Sequence, residues 1–288
     1  MTALEQQLDI DAGDGLVLRV VRSGQGAPLL LLHGFTGSGT TWDALRGGLH
    51  TAFTVITVDL TGHGHSGAPA DPARYALNRF SDDLVQVLDS LGIGRVALLG
   101  YSMGGRAALD FALRHPTRVA ALVLESTSPG IADEAERAAR RASDTALAAR
   151  IERDGVPAFV KEWERLPLWA SQETLAADTR ARLRTQRLAN NATGLANSLR
   201  GAGAGAAAAV TDQLVNVIVP VQLIAGEHDP KYVALAHLIG ESVSAAPITE
   251  LAVVAGAGHA VHLERPDEFA GLVERFLNRV SSESGSWR

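Results

Sequence analysis

The chain has no cysteine, which excludes disulfides, thiolate metal sites and a cysteine nucleophile. Aromatic residues are also scarce, at 5% of the chain, so a core must come from Ala, Leu and Val within a hydrophobic total of 46% over 288 residues. That is enough for one large α/β domain or two small ones. No run of about 18 apolar residues occurs, so no segment is expected to span a membrane. Residues 1–11 are polar and partly acidic, without the basic-then-apolar pattern of a signal peptide, and a cytoplasmic location is expected. Positive charge is in deficit as well. A net charge of −6 argues against nucleic acid or an anionic membrane as partner.

What is present is alternation. Segments 4–10 and 15–22 read as two short strands joined through Ala12-Gly13-Asp14, a hairpin-type turn. Apolar runs follow at 28–32, 54–59, 95–100, 119–125, 217–225 and 248–254. Runs without polar alternation are strands buried on both faces. Helical patterns at 77–91 and 103–114 lie between them, which predicts βαβ units and a mostly parallel, doubly wound α/β sheet.

One junction organises the rest: Leu98-Leu99-Gly100-Tyr101-Ser102-Met103-Gly104-Gly105-Arg106. It reads as strand, sharp turn, helix. A turn this tight brings backbone close enough to exclude a Cβ two residues either side of Ser102, and Gly100 and Gly104 stand there. The hydroxyl then lies at a helix N-terminus, whose free N–H groups and dipole favour a developing negative charge. The plain alternative is a glycine-rich turn with an incidental serine. Other strand ends argue against it, because ligands bind at the carboxyl ends of such strands. His33-Gly34-Phe35 follows the first run, Glu125-Ser126 the fourth, Gly226-Glu227-His228-Asp229 the fifth and Gly256-Ala257-Gly258-His259 the last. Serine, then acid, then histidine is the order of a Ser-His-Asp triad on this scaffold.

From residue 16 to residue 280 the chain resembles an α/β-hydrolase. The resemblance implies Ser102 as nucleophile or alkoxide base, His259 as its proton acceptor and Asp229 as the residue that orients the imidazole. The backbone N–H groups of Phe35 and Met103 would form the oxyanion hole, with Gly34 allowing close approach. Each role has rivals. His33 and His63 fit loop-holding roles, and His262 competes with His259, which is favoured by its Gly-x-Gly turn after the last strand. His63 and His65 could be a metal pair, but no third ligand stands beside them. Glu125, Glu227 and Asp59 compete with Asp229 for the acid.

Between the fourth and fifth runs alternation stops, and residues 129–210 read as an inserted helical lid on a core of 1–128 and 211–280. Helical composition covers 132–154, 157–166 and 175–200, broken at Gly155-Val156-Pro157 and Pro167. Residues 130–200 hold twelve Lys or Arg against ten Asp or Glu, so the lid is the basic part of an acidic chain. Local i,i+4 pairs could absorb some of that charge: Asp133 with Arg137, Glu136 with Arg140, Asp178 with Arg182. Arg106 is different. It stands four residues past Ser102, in the first turns of a helix where the dipole disfavours a cation, so it needs an anion: a protein carboxylate or one on the substrate. The 201–209 stretch is a low-complexity Gly/Ala return, flexible or weakly helical, and 281–288 is expected to be a disordered tail.

A narrower resemblance rests on the elbow through Arg106, Glu125-Ser126-Thr127-Ser128-Pro129-Gly130, Glu136-Arg137 to Arg140 with Ser143-Asp144, Trp163 before Leu166-Pro167-Leu168-Trp169-Ala170-Ser171, Gln186-Arg187-Leu188, Gly194-Leu195-Ala196 and Ser198-Leu199-Arg200. Together these are similar to the 2-succinyl-6-hydroxy-2,4-cyclohexadiene-1-carboxylate synthases of menaquinone biosynthesis. The resemblance implies a lyase that eliminates pyruvate from a polycarboxylate small molecule, without metal or organic cofactor. It implies Arg106, Arg140 and Arg187 as carboxylate ligands, with Tyr101 and Trp163 lining the pocket. Thr61 stands where many members of the fold have proline, and Trp169 where phenylalanine is commoner in the lyases. A serine hydrolase of an anionic ester, thioester or carbon–carbon bond is the alternative that the same triad allows.

Overall fold

The computed structural model describes residues 5–284. Among these residues, eight strands form one sheet: β1 (Gln6–Asp11), β2 (Val17–Gly24), β3 (Ala27–Leu32), β4 (Phe53–Val58), β5 (Val96–Tyr101), β6 (Val119–Glu125), β7 (Val221–Gly226) and β8 (Thr249–Val254), in the order β1-β2-β4-β3-β5-β6-β7-β8. The β1–β2 and β2–β4 pairs are antiparallel and every later pair is parallel. The parallel strands from β3 to β7 are almost wholly buried, the burial their unbroken apolar sequences predict.

Alternate residues of each strand enter two cores. Leu30, Leu32 and Leu98 face a layer made by α2 (Leu77–Ser90), α3 (Met103–Arg114) and α8 (Pro230–Ser242). Leu29, Leu31 and Leu99 face α1 (Asp43–Leu49), the short α9 (Val261–Glu264) and α10 (Pro266–Ser284). Helices on both faces make the sheet doubly wound. The strand expected at 217–225 begins only at Val221, because Pro220 brings no N–H to the ladder. At the other end α10 runs to Ser284, so 281–284 are helical and not the disordered tail expected; the remainder of that tail lies outside the described residues.

Four helices stand between β6 and β7: α4 (Glu134–Asp154), α5 (Val156–Trp163), α6 (Ala177–Leu188) and α7 (Ala192–Ala202). Three of them, α4, α5 and α7, share a small core of their own, with Ala148 and Ile151 of α4, Phe159 and Val160 of α5, and Leu195 and Leu199 of α7. The single helical segment expected over 175–200 is two helices, because Asn191 caps α7 by accepting from Gly194 N at 3.0 Å. The Gly/Ala return is packed, not loose: a Cβ on Gly205 would lie 2.5 Å from Arg141 N, and one on Gly203 2.6 Å from Asp144 Oδ2. Among the described residues no helix is long and apolar enough to cross a membrane.

Candidate active site

Ser102 sits between β5 and α3 with φ 53° and ψ −109°, outside the usual L-residue regions. Both of its peptide groups are clamped. Its N–H donates to Glu125 O at 2.9 Å, and Thr127 Oγ1 donates to its carbonyl at 2.7 Å. The glycine spacing has the cause that the sequence suggests: a Cβ on Gly100 would meet Gly104 O at 2.4 Å, and one on Gly104 would meet Leu32 O at 2.2 Å. Gly34 is equally constrained, since its Cβ would strike the Tyr101 ring at 2.7 Å. The loop carrying Phe35 therefore lies directly against the elbow. Met103 opens α3, so its N–H has no intrahelical partner.

His259 Nε2 lies 3.1 Å from Ser102 Oγ, and its Nδ1 donates to Asp229 Oδ2 at 2.6 Å. Two devices aim it. A Cβ on Gly226 would lie 2.1 Å from Gly258 O, so glycine there lets the acid-bearing and histidine-bearing loops cross. The Glu264 carboxylate accepts from Gly258 N at 2.7 Å and Ala260 N at 3.4 Å, holding the chain on both sides of His259. The imidazole is boxed by the rings of Tyr101 (5.4 Å), Trp169 (5.5 Å) and Tyr232 (4.5 Å), which exclude water from it.

The rival histidines and acids have other partners. His262 is fully buried and its Nδ1 contacts Glu125 Oε2 at 2.8 Å, so both are committed to each other. His33 donates through Nδ1 to Gly34 O and accepts from Leu60 N, and burial lowers its pKa to about 4. Burial takes His63 to about 3, and it contacts Thr61 O through Nδ1, while His65 projects outward beside Asp59 at 3.6 Å; the two do not converge on a metal position. Asp59 accepts from Gly39 N and His65 N, and Glu227 from Gly256 N.

A cavity of about 330 Å³ opens over Ser102, bounded by the sheet's carboxyl end and by the helices between β6 and β7. It is lined by Phe35, Tyr101, Met103, Arg106, Arg140 and Trp163 together with the Ser102, Asp229 and His259 set, all expected from sequence. Arg106 is the notable member. Among the described residues it has no carboxylate within ion-pair distance, and burial lowers its pKa to about 10. The choice left open by sequence is thereby narrowed: among the described residues no carboxylate bonds Arg106 directly, and Asp144, already paired with Arg140, favours its charge only from a distance.

Arg140 lines the cavity but its partner is Asp144, with Nε donating to Oδ1 at 2.8 Å, not Glu136. The other two helix pairs also differ: Arg137 bonds Glu134, because Asp133 caps α4, and Arg182 donates to Thr179. Arg187, expected beside Arg106 and Arg140, instead lines a separate cavity of about 290 Å³ with Trp169. It does not line the cavity over Ser102; it is buried behind Trp169, its guanidinium carbon 5.4 Å from that ring, donating to Gln172 Oε1 at 3.1 Å and Glu164 Oε1 at 3.3 Å. Sequence reasoning also passed over Tyr232 and Lys231, which line the cavity from the first turn of α8. Their position immediately after Asp229, at the acid's own strand end, was the available signal.

Residues 27–266 match the family described as alpha/beta hydrolase fold. The chain is 42% identical over 95% of its length, and 99% of the relative's, to a Bacillus subtilis (strain 168) protein provisionally named 2-succinyl-6-hydroxy-2,4-cyclohexadiene-1-carboxylate synthase. It is 33% identical to the Klebsiella pneumoniae subsp. pneumoniae synthase of that name, over 86% of this chain and 93% of the other. Among solved structures it is similar to MenH from S. aureus, with TM-score 0.85, 30% identity and coverage of 98% and 99% of the two chains. A thermophilic esterase from Thermogutta terrifontis has TM-score 0.83 at 26% identity, covering 96% of this chain and 99% of its own.

Proposed function

Because the chain belongs to the α/β-hydrolase fold family, and within it to the 2-succinyl-6-hydroxy-2,4-cyclohexadiene-1-carboxylate synthases, we propose that its triad removes a proton where a hydrolase would attack a carbonyl. The reaction is the elimination of pyruvate from 2-succinyl-5-enolpyruvyl-6-hydroxy-3-cyclohexene-1-carboxylate, a lyase step of menaquinone biosynthesis, and we place it in the cytoplasm. The ring carbon bearing the succinyl group is acidified by the adjacent ketone. Ser102 Oγ, deprotonated by His259, takes that proton, and Asp229 stabilises the imidazolium. The enolate oxygen is received by the Phe35 and Met103 N–H groups. Its collapse forms a new ring double bond, shifts the existing one, and breaks the carbon–oxygen bond to enolpyruvate, which leaves and becomes pyruvate. No acyl-enzyme forms.

The observation that carries this reading is Arg106, a buried guanidinium in the cavity of the triad with no directly bonded carboxylate among the described residues. Arg106 and Arg140 hold substrate carboxylates, Tyr101 and Trp163 pack on its carbon skeleton, and residues 129–210 act as the lid. Arg187 is assigned the support of Trp169. The test is pyruvate release from the enolpyruvyl substrate, generated in place, with a neutral aryl ester in parallel. Rapid pyruvate formation with feeble ester cleavage supports the lyase; good ester cleavage with pyruvate only at the spontaneous rate makes the chain a hydrolase with a basic lid.

A further inference from the structure

The substrate of the proposed elimination carries three carboxylates. With Arg187 on the far side of Trp169, Arg106 and Arg140 are the arginines that line the cavity among the described residues. The cavity is also lined by a third basic side chain, Lys231. It is exposed, two residues past Asp229, and its ammonium lies 5.8 Å from the centre of the Tyr232 ring, whose own ring packs on His259. Among the described residues no carboxylate lies within ion-pair distance of it. It also stands in the first turn of α8, at the positive end of the helix dipole, where a lysine gains nothing from the helix and is better served by a bound anion.

We propose that Lys231 is a substrate-binding residue that takes one carboxylate at the rim of the cavity, on the His259 side. This inference rests on the polycarboxylate reading above. A lysine suits that place because an ammonium on a flexible stem follows a carboxylate as a point charge, without the fixed fork that a guanidinium imposes. Arg106 in the interior and Lys231 at the rim would then orient the molecule along one line past Ser102.

The test is steady-state pyruvate release by wild type, Lys231→Gln and Lys231→Arg at two ionic strengths. Lys231→Gln should raise KM roughly tenfold or more, the effect of losing one charge-assisted hydrogen bond, while kcat changes less than about threefold. Lys231→Arg should restore most of the loss, and KM of Lys231→Gln should rise less steeply with salt than that of wild type. An unchanged KM in Lys231→Gln beside an active wild type overturns the inference alone. A fall in kcat without a rise in KM also overturns it, because Lys231 would then act through Asp229 and not on substrate. A wild type that releases no pyruvate overturns the proposed function, and this inference with it.

Discussion

Replacing Arg106 by methionine should move stability and activity in opposite directions. Burial, with the nearby Arg140 cation, brings the Arg106 pKa from 12.5 to about 10 although Asp144 favours the charge from a distance, so holding that charge costs the free protein about 3 kcal/mol. Methionine of similar length removes that cost, and part of it returns as stability. The unfolding free energy of the ligand-free protein should rise by about 1–3 kcal/mol, or a Tm increase of roughly 2–10 °C for a chain of this size. The same substitution leaves a substrate carboxylate desolvated and unpaired, at a cost of about 2–5 kcal/mol in kcat/KM, or roughly 30- to 5,000-fold. Thermal unfolding without ligand and a coupled assay for pyruvate read the two effects. A variant that is less stable and releases pyruvate normally would refute the reasoning, since Arg106 would then be a structural residue with a partner of its own.

Acidification should destabilise the protein through two buried imidazoles. His33 and His63 are held near pKa 4 and 3, below the unfolded value near 6.5, so their contribution is complete above pH 6.5 and declines as pH falls below it. The unfolded chain binds the protons that the folded one refuses, and by pH 5 each costs roughly 2 kcal/mol; urea unfolding from pH 7.5 to 5 should show that slope, and His63→Gln should remove about half of it. Arg74→Met strands Asp83, which is buried and bonded to Arg74 at 2.6 Å and to Thr61 at 2.9 Å, and should cost about 3–5 kcal/mol in a denaturant titration. Gly194→Ala would place a Cβ 2.1 Å from Gly62 O; a loss of about 1–3 kcal/mol is expected as α7 is pushed off the core, read as a lower Tm.

The elbow was legible because its glycines answer to backbone contacts a few residues away: Gly100 meets Gly104 and Gly105 within the turn itself. The acid and the histidine were legible from chain order. What failed depends on tertiary position. Helix α1 carries two glycines in seven residues and has little helical character of its own, yet it forms because Trp42, Leu45 and Leu49 are buried against α10 and the sheet. The motif around Arg187 groups it with the other arginines, but a linear motif cannot show that Trp169 stands between it and the His259 side of the cavity. Arg140 had acids four residues away on both sides, and Asp144 was chosen because Gly203 leaves room for its carboxylate inside the lid.

Ser102→Ala tests the central claim most directly, with pyruvate release measured on the purified variant and its fold verified by the unfolding midpoint. If Ser102 is the base that starts the elimination, pyruvate formation falls by up to about a millionfold, to near the spontaneous rate, as for triads that act as a unit. A variant that still releases pyruvate within about tenfold of wild type would remove the triad from the reaction and place proton abstraction on another residue of the cavity.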